Sequence, residues 1–134
     1  MSKLVEDYMS PIPNLLVETD TRLSEAIIQM QHTQSNLVIV VDKRGFLRGI
    51  ITGTDIIREI GVSIESSMLN EGLAIDIMTK QVKALSSDLF MLDAVKDFFR
   101  DSLHIMIVTR ADKPIGIITQ KDIIKWWSDE YLKA

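Results

Sequence analysis

Apolar residues recur along this chain in two rhythms, and each rhythm occurs twice. Leu23, Ala26, Ile27 and Met30 fall at the i, i+3, i+4, i+7 spacing of one buried helical stripe, and so do Met91, Ala94, Val95 and Phe98. Two apolar runs of strand length follow each stripe. In the first half they are Leu37 to Val41 and Phe46 to Ile51, joined by Asp42-Lys43-Arg44-Gly45. In the second they are Ile105 to Val108 and Ile115 to Ile118, joined by Arg110-Ala111-Asp112-Lys113-Pro114. Both joins have the length and residue types of hairpin turns. A short extended stretch, Leu15 to Val17 or Val82 to Leu85, precedes each helical stripe, with Thr21 or Ser87 placed near the N-cap. A closing helix is expected to begin at Asp55 or Asp122, where a carboxylate suits the positive end of the helix dipole.

The two halves are copies of one unit. Gly49-Ile50-Ile51-Thr52-Gly53-Thr54-Asp55-Ile56-Ile57 recurs from Gly116 as Gly116-Ile117-Ile118-Thr119-Gln120-Lys121-Asp122-Ile123-Ile124, an offset of 67 residues with seven of nine positions identical. The helical stripes are offset by 68, Leu23 to Met91, so one residue of length change falls between helix and strand, where a loop absorbs it. Further upstream, Tyr8-Met9-Ser10 answers to Ile77-Met78-Thr79. Each copy reads as β-α-β-β-α, the first over about residues 4–60 and the second over about 73–127. Residues 61–72 form a connector in which Ser63, Ser66, Ser67 and Asn70 mix with Val62, Ile64, Met68 and Leu69, enough for one helical turn. One copy is too small to bury both faces of a three-stranded sheet, so residues 1–134 are expected to form a single α+β domain of two packed copies.

Composition removes several function classes. The 134 residues include no Cys, which excludes thiol catalysis, Cys-based zinc sites and redox switching. A net charge of −4 and a pI near 5.1 oppose nucleic-acid binding. Lys43, Arg44 and Arg48, the densest basic group, flank a hairpin turn, where solvated charges are ordinary. The apolar runs are far below the roughly 20 residues of a membrane-spanning helix, and Lys3, Glu6 and Asp7 do not open a secretory signal. A soluble cytoplasmic protein is expected. His32 and His104 lack metal-ligand spacing, so no metal is expected, and no nucleophile motif or phosphate-binding Walker loop is present.

The repeated Gly-Ile-Ile-Thr-x-x-Asp closes a strand, turns and opens a helix, a place where α/β sheets put ligands. Glycine permits close backbone approach, the Thr hydroxyl both donates and accepts, and the first helical turn offers N–H groups to phosphate. Ionised Asp55 and Asp122 accept hydrogen bonds only, so they suit a ribose diol, with Thr52, Thr119 and helix amides left for phosphate. Leu37, Val38 and Ile105 are placed to flank a flat base. The same Thr-x-x-Asp spacing is also a capping box, in which the carboxylates serve only their own helices.

Over nearly the whole chain these features resemble the CBS-domain family, named for cystathionine β-synthase. The likeness rests on Met9-Ser10 and Met78-Thr79 opening the copies, on Ala26 and Ala94 in the first helix, on Val40-Val41-Asp42, and on the two Gly-x-x-Thr-x-x-Asp motifs. It implies a pseudo-two-fold intramolecular pair of copies that binds AMP, ADP, ATP or S-adenosylmethionine in clefts between them, with no required cofactor. It places ribose hydroxyls on Asp55 and Asp122, and ribose or phosphate on Thr52 and Thr119. Ser10, Ile12, Thr79 and Gln81 match positions near the base. Leu37 and His104 match a strand position that is basic in some members, while Thr54 and Lys121 fall in the variable pair before each Asp. His104 reads equally as a strand-edge residue half in solvent. Ile39 and Met106 stand where many members have Pro, and Thr109 where an acid is usual. His104 and Lys121 lead to the expectation that the second motif binds phosphate better than the first.

Apolar Ile57, Ile60, Ile124 and Trp127 exceed what one pair needs for its core, and the resemblance adds homodimerisation through such helices. The expected function is non-catalytic: ligand occupancy shifts an equilibrium that an effector protein, not identified by the sequence, reads in trans. A ligand-free dimerisation or scaffold module is the alternative, and an enzyme acting on nucleotides the third reading.

Overall fold

The computed structural model describes residues 3–12, 14–65, 67–101 and 103–132; Ser66 of the expected connector and the outermost residues of the chain lie outside the described residues. The elements run α1 (Val5–Tyr8), β1 (Leu16–Glu18), α2 (Leu23–Thr33), β2 (Leu37–Val41), β3 (Leu47–Thr52), α3 (Gly53–Val62), α4 (Ser67–Glu71) and α5 (Ala74–Ile77). They continue with β4 (Ala84–Ser86), α6 (Met91–Asp101), β5 (Ile105–Arg110), β6 (Lys113–Thr119) and α7 (Gln120–Tyr131). The order repeats as α-β-α-β-β-α, with α4 in the connector.

The chain forms two compact units, and they do not coincide with the two copies in the sequence. An inner unit spans Pro13–Val82, and a split unit combines Met1–Ile12 with Lys83–Ala134. In the inner unit β1 pairs parallel with β2, and β2 antiparallel with β3. The helical stripe of α2 buries Leu23, Ala26 and Met30 in one cluster with Val38, Val40, Ile51, Ala74 and Met78. Alternation along β2 sends Val38 and Val40 to this helix-covered face, as a two-residue side-chain period requires.

The split unit repeats the plan with β4, β5 and β6. Its core joins Val5 of α1 to Leu85, Met91, Ala94, Phe98, Met106, Val108, Ile118 and Trp126. The opening segment of the chain is held there by its backbone. Val5 N–H donates to the Leu89 carbonyl at 2.8 Å and Glu6 N–H to that of Ser87 at 3.0 Å, while Ser10 bridges to Ile117. In the inner unit α5 docks in the same way, with Ala74 N–H on the Thr21 carbonyl at 2.8 Å and Thr79 bridged to Ile50. The segment that opens each copy therefore packs on the sheet of the other copy.

Several boundaries differ from those the sequence predicts. The closing helices start two residues earlier, at Gly53 and Gln120, with Thr52 and Thr119 as N-caps. Arg22, not Thr21, caps α2; the Thr21 hydroxyl accepts from Glu18 N–H at 2.9 Å and closes a turn. Ser87 is buried four residues before α6, and its N–H donates to the Thr109 carbonyl at 3.0 Å. The second hairpin is tighter than its five-residue join: β5 runs to Arg110, β6 starts at Lys113, and Ala111 and Asp112 turn with φ of 52° and 62°. Two consecutive positive φ angles match the twist of the strands they connect.

Candidate ligand sites

Each Asp motif is built within one unit, from residues of both sequence copies. In the split unit, Thr119 ends β6 and caps α7. Its N–H and hydroxyl both donate to Asp122 Oδ2, at 2.8 and 2.9 Å. Oδ1 of the same carboxylate accepts the Ser10 hydroxyl at 2.9 Å. In the inner unit, Thr52 N–H and hydroxyl donate to Asp55 Oδ2 at 2.8 and 3.1 Å, and the Thr79 hydroxyl lies 3.2 Å from Oδ1. Both Thr-Asp pairs are thus capping boxes, and the carboxylates have a second engagement besides the cap.

The glycines explain how a hydroxyl from the other copy arrives there. A Cβ built on Gly49 would stand 2.5 Å from the Thr79 carbonyl oxygen, and one on Gly116 2.9 Å from that of Ser10. The close approach that the sequence assigned to a ligand is made by the protein's own Met-Ser and Met-Thr segments. Gly49→Ala is accordingly expected to cost about 1–3 kcal/mol of stability, because backbone rather than a flexible side-chain tip must shift. A thermal melt of the variant that matches the wild-type curve would contradict this reading.

The two sites differ in exposure and charge. Asp55 is 5% exposed, whereas Asp122 is half-buried. The Arg58 guanidinium, one turn along α3, stands 3.4 Å from Asp55 Oδ1. Lys125 holds the matching place in α7, but its ammonium turns to Asp129 at 3.2 Å. Asp129 also accepts the Tyr8 hydroxyl at 3.0 Å, and that hydrogen bond, aided by Lys125, holds its carboxyl below the usual carboxylate range. Sequence reasoning passed over Arg58, although i, i+3 spacing on a helix points it at Asp55.

The remaining candidates fall in three groups, with His104 apart from them. Ser10 and Ile12 are half-buried in the split unit with half-buried Ile105, and exposed Lys121 precedes Asp122. Exposed Thr54 and Gln81 lie in the inner unit with exposed Thr79. Leu37 is buried, and Val38 has no exposed surface and sits in the inner core. His104 is exposed, and its Nδ1 lies within hydrogen-bond distance of Gln120 Nε2, at 2.9 Å. His104 and Gln120 border an open groove of about 590 Å³ in the split unit, walled by Val95, Phe98, Ile123 and Ile124. Gln120 was not singled out in the sequence. Among the described residues no group of three or more His, Asp or Glu could hold a metal ion, and no helix is long and apolar enough to cross a membrane.

Comparison with known proteins agrees with this architecture. A family model described as the CBS domain matches residues 5–62 and again 74–129. Arabinose 5-phosphate isomerase KdsD of Pseudomonas aeruginosa is 24% identical over 127 residues, 90% of this chain; the chain spans 37% of that protein's length. The CBS-pair protein CBSX2 from Arabidopsis thaliana superposes with a TM-score of 0.81 over all of both chains, at 22% identity. CBSX2 in complex with AMP gives 0.78 over 94% of this chain and 96% of that one, at 21% identity. The CBS-domain pair of protein MJ0100, in complex with 5-methylthioadenosine and S-adenosyl-L-methionine, gives 0.72 over 96% and 98%, at 23% identity. At these identities the likeness to solved structures carries the fold.

Proposed function

This chain belongs to the CBS-domain family, and from that premise we propose that it is a cytoplasmic, non-catalytic regulatory module that binds an adenosyl ligand such as AMP, ADP, ATP or S-adenosylmethionine. The carrying observation is that Asp122, at a helix N-terminus, already accepts an aliphatic hydroxyl, that of Ser10, through the oxygen its cap leaves open. A ribose hydroxyl offers the same donor in the same chemistry. Asp55 with Thr79 repeats the arrangement. In this reading the two carboxylates take ribose hydroxyls, Thr52 and Thr119 take ribose or phosphate, and Thr54, Lys121 and His104 lie toward phosphate. Ser10, Ile12 and Ile105 in the split unit, and Leu37, Thr79 and Gln81 in the inner unit, flank the bases; Val38, which the sequence placed beside a base, has no exposed surface and packs in the core instead. The AMP complex of CBSX2 and the adenosyl complex of MJ0100 support this ligand class.

Thermal melting with each of the four ligands tests the proposal. Ligand at a hundredfold over Kd is expected to add about 2.7 kcal/mol of stability. No shift with any of them would leave the ligand-free scaffold as the better account.

The output is proposed to reach an effector protein in trans, from a homodimer joined through the repeat helices. Ile124 is 67% exposed and Phe99 87% exposed at the apolar groove, with half-exposed Trp127 further along α7. Ile124→Glu is expected to convert the dimer to monomer with the melting profile of the monomer retained. Light scattering that finds the wild type monomeric, or the variant still dimeric, would refute this interface.

A further inference from the structure

The two carboxylates differ in how much of their accepting capacity the protein itself uses. An ionised carboxylate has about four acceptor positions. Asp55 meets four donors: Thr52 N–H at 2.8 Å, the Thr52 hydroxyl at 3.1 Å, the Thr79 hydroxyl at 3.2 Å and Arg58 Nη1 at 3.4 Å. Asp122 meets three among the described residues: Thr119 N–H at 2.8 Å, the Thr119 hydroxyl at 2.9 Å and the Ser10 hydroxyl at 2.9 Å. The difference is the cation. Lys125, which corresponds to Arg58, is held by Asp129 on the far side of its own side chain's reach along α7.

We propose that Arg58 makes the two sites unequal, so that an adenosyl ligand fills the Asp122 site first and the Asp55 site only in competition with this guanidinium. The inference rests on the adenosyl-binding reading and adds an order of filling and the residue that sets it. A ribose diol approaching Asp122 meets no charged donor there among the described residues and must displace at most a neutral hydroxyl. At Asp55 every position is taken, and one donor is charged. Arg58 is 67% exposed, so its ion pair is of the weak, solvent-screened kind, and its removal is expected to tighten the second site by about fivefold. Because the guanidinium is mostly in solvent, Arg58→Ala should leave the fold intact.

Isothermal titration with AMP, on the intact chain and with parallel melting curves as a folding check, tests this. In the wild type the tighter step should vanish in Asp122→Asn and persist in Asp55→Asn. In Arg58→Ala the weaker step should tighten about fivefold, or become visible where the wild type shows one step only. Loss of the tighter step in Asp55→Asn would overturn the proposal, as would an Arg58→Ala isotherm identical to the wild type's. Wild-type protein that takes up no AMP would refute AMP as the ligand, whereas equal wild-type steps would refute only the role of Arg58.

Discussion

Trp126→Ala should lower the stability of this chain by about 3–5 kcal/mol, the range for deleting a large buried aromatic side chain. Trp126 is 5% exposed in the split core with Val5, Met91, Phe98 and Ile118, and its ring meets Trp127 and Tyr131 edge-on at 6.4 and 5.9 Å. It lies one turn beyond Asp122 on α7, so its burial helps seat the helix end that carries the carboxylate. The urea midpoint should fall with little change in slope. Trp126→Phe should cost far less: it keeps a ring in place and removes an indole N–H that is buried with no hydrogen-bond partner among the described residues. A loss below about 1 kcal/mol for the alanine variant would mean that α7 is seated by something else.

Asp122→Ala should remove the tighter site's share of the ligand-induced rise in melting temperature, a loss of about 2.7 kcal/mol at a hundredfold excess over that site's wild-type Kd. The unliganded variant should be weaker by only about 1 kcal/mol, because the side chain also completes the cap with Thr119. The two effects separate in one experiment: melts without ligand read the cap, and melts with ligand read the site. A variant that keeps the full ligand shift would confine Asp122 to its capping role. A variant that no longer folds would show that the cap dominates.

Much of this architecture was legible because the repeat states it twice. The buried stripe of α2, all of β2 and the Thr-x-x-Asp strand-to-helix junctions were readable from periodicity and from the matching copy. The one-turn helices α1 and α5 were not, since four residues are too few to display a helical period. Their signal is local: Asp7 Oδ2 accepts from Leu4 N–H at 2.8 Å, and Asp76 Oδ2 from Leu73 N–H at 2.7 Å, a Leu-x-x-Asp spacing present in both copies. The exchange of these segments between copies leaves no trace in spacing, because it concerns which sheet a segment joins. That exchange is why Ser10 meets Asp122 across 112 positions of sequence. Helix starts slipped by two residues because Asp55 and Asp122, read as the first residues of their helices, are instead their third.

The exchange also bears on how such a chain can be altered by recombination. A crossover placed in the connector would look like a clean division between duplicated cassettes. Each product would then carry a carboxylate parted from the hydroxyl that engages it, and a sheet stripped of its covering turn. The interchangeable part is a sheet together with a short piece written into the opposite half of the gene, so shuffling one repeat at its apparent borders transfers an incomplete part.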